Sequence, residues 1–270
     1  MNVSFKPSIA QGKSLRFGKS NDGKKTLLVP RNTVLTNTTL TNNLITYWDF
    51  NQGNANPKFG NPTYILINSG SITYSAGKLG TGINLPINSR IRITENLWNM
   101  ITSPTSFSVA LWVKKNSFST SPQEAIIAGS IFGPMAFYFA FSDQNGGGLD
   151  QTLLYGQTTG ISQYAYVFTN WSVTLGEWVH LAGTYDLNNS IMKFYVNGNL
   201  VGTQNSVTPP TNTTHPSWTG FAINGSTIET TSSEYGDDQS FDMVGLWTRA
   251  LTDSEVQSLY TNYTEFNNLI

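Results

Sequence analysis

The stretch Glu177-Trp178-Val179-His180-Leu181-Ala182-Gly183-Thr184-Tyr185-Asp186, running on to Lys193-Phe194-Tyr195-Val196-Asn197-Gly198, decides the fold class. Ile191 to Val196 and Asn199 to Val201 flank the pair Asn197-Gly198. A two-residue hairpin turn needs φ > 0 at both central residues, which Asn tolerates and Gly adopts freely. A β-hairpin is therefore expected there. Upstream, Ser106 to Lys115 (SFSVALWVKK) alternates strictly. Phe107, Val109, Leu111 and Val113 fall on one face, and Ser108, Ala110, Trp112 and Lys114 on the other.

Further out the same signals recur at short spacing. Ile45 to Phe50 alternates, Thr63 to Ile67 is β-branched and aromatic, and Arg90 to Thr94 places Ile91 and Ile93 on one face. Gly- and Pro-rich breaks separate these runs. Many short strands with turns between them argue for a sandwich or barrel and against an α/β fold. One helix is expected at the end. Thr252 to Glu255 reads as a capping box, Leu251 and Val256 as its hydrophobic staple, and Val256, Leu259, Tyr260 and Tyr263 as its apolar face.

Four stretches in this order resemble the laminin G-like, pentraxin-like jelly roll of the concanavalin A superfamily. They are Tyr47-Trp48-Asp49-Phe50; Gly77 to Leu85; the block quoted above; and Phe241 to Leu251 followed by Ser254-Glu255-Val256. The resemblance spans residues 44–265. It implies an all-β, two-sheet antiparallel sandwich over residues 44–270, with a short C-terminal helix and the first and last strands paired. That pairing would make Trp48 and Trp247 neighbours, and Trp112 and Trp178 are expected to fill the gap between the sheets. The resemblance also implies a structural calcium ion between the first and last strands, with Asp242 and Asp49 as its carboxylates; hard oxygen ligands suit calcium. Two departures stand against it. Met243 follows the closing aspartate where an acidic residue is common, and Pro57-Lys58-Phe59-Gly60 replaces an Asp-rich turn. The alternative is that Asp242 pairs with backbone amides or a nearby cation.

Residues 1–43 read differently. Seven basic residues face Asp22 alone, so this segment carries +6 and, with a net charge of -1 overall, the remainder carries -7. It contains Pro7 and Pro30, and Thr26 to Val29 is its one expected strand. It is either a passive tail or an arm that orders against a partner or neighbouring subunit. A basic arm on an acidic body is not the blanket basic surface of a nucleic-acid binder.

Only 11% of residues are charged and none is cysteine. Disulfide and thiolate chemistry are excluded together, and folding is compatible with a reducing compartment. Animal extracellular modules of the resembled kind usually carry a disulfide bridge, which points to a microbial or viral source. The start MNVSFKPSIAQGKS lacks an apolar core, so the chain is expected to stay inside its cell, leave without a cleaved leader, or have its leader outside this sequence. No run reaches the roughly 18 apolar residues of a membrane span.

Catalytic constellations fail one by one. Glucan-cleaving enzymes of the resembled superfamily carry a strand reading E-x-D-x-E, which aims two glutamates into one cleft. The nearest acidic group here, Glu234-Tyr235-Gly236-Asp237-Asp238, has the wrong spacing. Of the two histidines, His180 is expected to pack in the core and His215 to be solvated. A zinc site or nucleophilic triad has little to build from. Gly18 to Lys25 nearly spells a phosphate-binding loop but ends in Lys25 instead of Ser/Thr. Asp143 to Asp150 reads as a flexible connector around Gly146-Gly147-Gly148.

Tyrosines remain as binding candidates. Tyr138 stands between Ala136 and Ala140, and Tyr164 and Tyr166 share a face. Such rings on an open sheet stack on sugars, or pack under loops or another subunit. Binding is therefore expected, not catalysis, and two readings follow. One is a virion structural or decoration protein of a bacteriophage capsid or tail, joined to its neighbours or homo-oligomerised through the arm, with a lectin-like domain that contacts host glycans. The other is a secreted or cell-surface bacterial carbohydrate-binding or adhesion module.

Overall fold

Alternating β-branched and aromatic residues build strands whose two faces bury different things, and both faces of one sheet are used. The computed structural model describes residues 16–19, 25–28, 39–60, 62, 64–67, 71–93, 106–117, 123–129, 137–142, 152–160, 163–169, 171, 174–207, 221–225 and 237–270. The chain forms two compact units, Met1–Thr36 and Asn37–Ile270. In the first, β1 (Arg16–Lys19) pairs antiparallel with β2 (Lys25–Leu28). The sequence reading has one strand here, at Thr26 to Val29; the structure has two, paired antiparallel.

The second unit is the expected sandwich. One sheet contains β4 (Tyr64–Ile67), β7 (Arg90–Ile93), β9 (Gln123–Gly129), β10 (Phe137–Ser142), β11 (Thr152–Gly160), β12 (Gln163–Phe168) and β16 (Phe221–Ile223), in the order β12-β11-β10-β9-β16-β7-β4. The other contains β3 (Leu44–Trp48), β5 (Thr73–Ala76), β6 (Thr81–Leu85), β8 (Phe107–Lys115), β13 (Trp178–Asp186), β14 (Ile191–Val196), β15 (Asn199–Gln204) and β17 (Gln239–Trp247). Its order is β15-β14-β13-β8-β17-β6-β5, and β3 also pairs β17. All these pairings are antiparallel. The hairpin turn at Asn197-Gly198 has φ of 49° and 75°, as its composition requires.

Phe107, Val109, Leu111 and Val113 of β8 enter the core between the sheets, with Ile91, Ile93, Ile127, Phe139 and Leu181. The opposite face of β8 is covered too. Helices α1 (Asp253–Thr261) and α2 (Tyr263–Leu269) pack Val256, Leu259 and Phe266 over Ala110, Trp112, Tyr195, Met243 and Trp247. Trp112 thus lies under the helices, not between the sheets. Trp178 shares its face, because Trp178 and His180 pair with Lys114 and Trp112 in register. Both tryptophans correct the sequence reading, in which they filled the intersheet gap. The first and last strands do pair, but Val244 stands opposite Trp48, and Trp247 faces the helices.

The capping box of α1 is present in both directions between Thr252 and Glu255. Asn262 interrupts the expected single helix at φ −118°, and α2 follows. The arm read from sequence extends to residue 43, and its last residues lie within the second unit. The carbonyls of Thr39 and Asn42 accept from Arg249 at 2.6 and 2.9 Å, and that of Leu40 from the Trp247 indole at 2.7 Å. No described helix is long and apolar enough to cross a membrane.

Candidate functional site

The closing strand divides one of its edges between two partners. Gln239 to Phe241 of β17 pair with β6, and Val244 to Trp247 pair with β3. At the junction, three steps of β17 (Asp242 to Gly245) span what two steps of β8 span (Trp112 to Ala110). Met243 takes up this bulge at φ 49°. The extra residue reverses the alternation: Phe241 and Val244 face the intersheet core, whereas Met243 faces the helices. Asp242 is delivered, fully buried, to the gap where the chain leaves β3 and approaches β6.

Asp242 Oδ2 accepts from the backbone N–H of Leu79 at 2.9 Å. A Cβ on Gly77 would stand 2.6 Å from the same oxygen, so only glycine lets the turn close over it. Asp242 Oδ1 has no hydrogen-bond partner. Burial pushes the carboxyl up to about 7; the amides of Leu79, Met243 and Lys78 pull the other way, and the charge of Asp49 adds to the rise. Asp49 Oδ2 binds Lys58 Nζ at 3.1 Å and Asn51 Nδ2 at 2.9 Å, and its Oδ1 accepts from Asn51 N at 3.2 Å. Burial alone would raise the Asp49 carboxyl, but the donors on Asn51 and Lys58 hold it below the usual range.

Structure brings Asp49 and Asp242 to one seam, but not as a calcium cage. N–H donors and an ammonium point at their oxygens, where calcium needs oxygens pointing at it. Among the described residues no three His, Cys, Asp or Glu side chains gather as a metal site. The residues present do not fit the ion.

A different feature is open. A cleft of about 550 Å³ lies between the β13–β14 hairpin and the turn entering α1. Thr184, Asp186, Asn189 and Lys193 line one side, Thr252, Asp253 and Ser254 the other, with Ile191, Ala250 and Leu251 as its apolar part. The Ser108 hydroxyl fixes that turn, donating to Arg249 O and accepting from Leu251 N, both at 2.8 Å. Asp253 Oδ1 accepts from Lys193 Nζ and from the Tyr195 hydroxyl, each at 2.7 Å. These two donors, Lys193 first, hold its carboxyl below the ordinary value. Asp186 Oδ2 accepts from Asn189 Nδ2 at 2.7 Å. None of these residues stood out in the sequence, because Lys193 and Asp253 are 60 positions apart.

The tyrosine candidates lie in the other sheet. Tyr138 of β10 and Tyr166 of β12 are both in register with Gly156 of β11, and Tyr164 is in register with Thr158. Tyr166 is half-buried; the side chains of Tyr138 and Tyr164 lie outside the described residues. His215, Glu234 and the whole Asp143 to Asp150 connector also lie outside them. His180 is buried against Trp112, ring centroids 5.2 Å apart, and burial followed by the charge of Lys78 pushes it down to about 3. It is a neutral packing residue at neutral pH. Asp237 forms a sealed pair with Lys115 at 3.0 Å.

Two facing antiparallel sheets, closed by a bulged last strand against the first, define a lectin-type jelly roll. The chain belongs to the Concanavalin A-like lectin/glucanases superfamily, whose laminin G family model matches residues 84–257. No curated protein matches its sequence. Among solved structures it is similar to domain 4 of AbnA, a GH43 extracellular arabinanase from Geobacillus stearothermophilus, in complex with arabinotriose. The identity is 22%, over 81% of this chain and 98% of that one, with a TM-score of 0.60. The binding domain of Paraclostridial Mosquitocidal Protein 1 is similar at 14% identity over 82% of this chain and 52% of that one, with a TM-score of 0.64. A structure of botulinum neurotoxin type C, whose cell entry is dependent upon interaction with two ganglioside molecules, matches at 14% identity over 86% of this chain and 53% of that one, with a TM-score of 0.60. The chain thus spans about half the length of these toxin chains. At these identities the likeness is one of fold.

Proposed function

We propose that this chain is a non-catalytic, glycan-binding lectin-type module whose ligand sits in the cleft between the β13–β14 hairpin and the turn into α1. The observation that carries the reading is the composition of that cleft. Carboxylate, ammonium, amide and hydroxyl groups converge beside an apolar strip of Ile191, Ala250 and Leu251. A sugar ring offers the complement: hydroxyls on its rim and C–H groups on its faces. The arabinanase domain solved with arabinotriose supports this choice of ligand, because the match covers nearly all of that domain. Gangliosides weigh less, since about half of each toxin chain has no counterpart here.

Hydrolysis is disfavoured by the state of Asp253, the carboxylate that joins the two sides of the cleft. A glycosidase acid must hold a proton near neutral pH, whereas Lys193 and Tyr195 keep Asp253 ionised. The tyrosines read from the sequence, Tyr138, Tyr164 and Tyr166, are the second candidate surface, with Tyr138 and Tyr166 both in register with Gly156. The experiment is titration calorimetry with arabinotriose, backed by a glycan array. Saturable binding lost in Asp253→Ala, with no release of reducing ends, supports the reading; no glycan bound by the folded chain removes it. Loss in Tyr138→Ala/Tyr166→Ala alone moves the site to the other sheet.

The finer reading, decoration of a virion anchored by residues 1–43, rests on the +6 charge of that segment against -7 on the remainder. Deleting residues 1–36, the first compact unit, should leave a folded jelly roll that no longer joins its particle, as checked by electron microscopy. Secretion or display on a bacterial surface is the alternative placement, favoured if no particle contains the chain.

A further inference from the structure

We infer that the ammonium of Lys58 stands where the resembled family would place a calcium ion, so that this jelly roll closes its first and last strands without metal. The inference is independent of any glycan. Calcium takes six to eight oxygen ligands at roughly 2.3–2.6 Å. At this seam the oxygens are already committed to donors. Asp49 Oδ2 receives Lys58 Nζ and Asn51 Nδ2, and Asp49 Oδ1 receives Asn51 N. Asn51 Oδ1 in turn accepts Thr81 N at 2.8 Å, and Asp242 Oδ2 accepts Leu79 N. A divalent ion among these atoms would meet the positive ends of four N–H bonds and an ammonium. Asp242 Oδ1 alone has no hydrogen-bond partner, and one oxygen does not bind calcium.

Lys58 is built into this position by the backbone. Tyr47 O, on β3, accepts the N–H groups of Lys58 and Phe59 at 2.8 and 3.1 Å, and Tyr47 N donates to Phe59 O at 3.0 Å. This fastens the segment beside the first strand and directs the lysine to Asp49. A third anchor comes from the C-terminal helix, where Lys58 Nζ donates to Asn267 O at 2.6 Å. Helix-terminal carbonyls lack intrahelical partners and attract cations. The ammonium therefore joins the end of the opening strand to the last helix. It neutralises one carboxylate, while the Gly77 to Thr81 turn cradles the other through Leu79 N. A single charge with directed donors does here what a divalent ion does by coordination.

The test compares melting temperatures of the full chain, Lys58→Arg and Lys58→Met, each in chelator and in millimolar calcium, with bound metal counted by mass spectrometry. Wild type should melt at the same temperature in both media and carry no stoichiometric calcium. Lys58→Met should melt several degrees lower in both, and Lys58→Arg should melt close to wild type. A wild-type melting temperature that drops in chelator, or one calcium per chain, overturns the inference. So does a Lys58→Met variant that melts like wild type. Should Lys58→Met not fold, the wild-type comparison and Lys58→Arg still decide.

Discussion

Two lysine–aspartate pairs of similar length occupy opposite environments. Lys115–Asp237, 3.0 Å apart, is sealed, with side chains 0% and 2% exposed; Lys193–Asp253, 2.7 Å apart, is open, at 31% and 61%. Lys115 stands opposite Gln239 at the end of β8, and the Asp237 backbone carbonyl is held by Asn224 Nδ2 at 2.9 Å. The sealed pair is cut off from solvent, so water cannot replace a lost partner. In the open pair water already competes, and a ligand can take its place at little cost in stability. The same chemistry is sealed in one place and open to solvent in another.

The largest expected effect breaks the sealed pair. Asp237→Ala, or Lys115→Ala, should cost about 3–5 kcal/mol in denaturant unfolding, because a buried ion pair is broken. The double variant Lys115→Met/Asp237→Leu should recover most of that loss. A single variant that loses less than about 1 kcal/mol would erase the distinction between the pairs.

Next comes the closing seam. Asp242→Ala leaves Leu79 N–H without its acceptor and should cost roughly 1–3 kcal/mol. Its titration supplies a subtler reading. Asp242 is raised from 3.8 to about 7 in the fold, so the native state holds a proton that the unfolded chain releases. That contribution is complete below the unfolded value and is lost as pH rises through the folded one. Wild type should therefore lose stability, relative to Asp242→Asn, as pH climbs from about 4 to about 7. Thermal melts across that window check the sign; an unchanged difference means that Asp242 does not titrate there.

Much of the sandwich was legible because strand alternation needs no tertiary knowledge. Ser106 to Lys115 sorted its residues correctly into two faces. Parity says which residues share a face, not which face meets the second sheet. That is why Trp112 and Trp178 were assigned to the wrong side: helices bury the far face as thoroughly as the sheet buries the near one. The bulge at Met243 left no signature either, since its φ of 49° falls on a residue with no special liking for that region. The resemblance places Asp49 and Asp242 on one seam, yet Lys58, the partner of Asp49, shows in the sequence only as a departure from a family pattern. The cleft was invisible because a hairpin and a helix start, far apart in sequence, create it together.

The smallest expected effect on stability belongs to the open pair, and it sharpens the comparison most. Lys193→Met and Asp253→Asn should each change stability by less than about 1 kcal/mol, as exposed ion pairs do. Asp253→Asn keeps an oxygen for the Tyr195 hydroxyl, which should limit rearrangement at the start of α1. Binding should respond differently. An oligosaccharide bound in the cleft would exchange hydrogen bonds with the Asp253 carboxylate and the Lys193 ammonium, each worth more than a neutral contact. Either substitution should weaken arabinotriose binding by about tenfold or more, equivalent to about 1.4 kcal/mol. Calorimetry and melting curves on the same samples separate the outcomes. Lost binding with retained stability assigns the pair to recognition. A fall in stability like that of Asp237→Ala would make both pairs structural, and unchanged binding would turn attention to Tyr138 and Tyr166 on the opposite sheet.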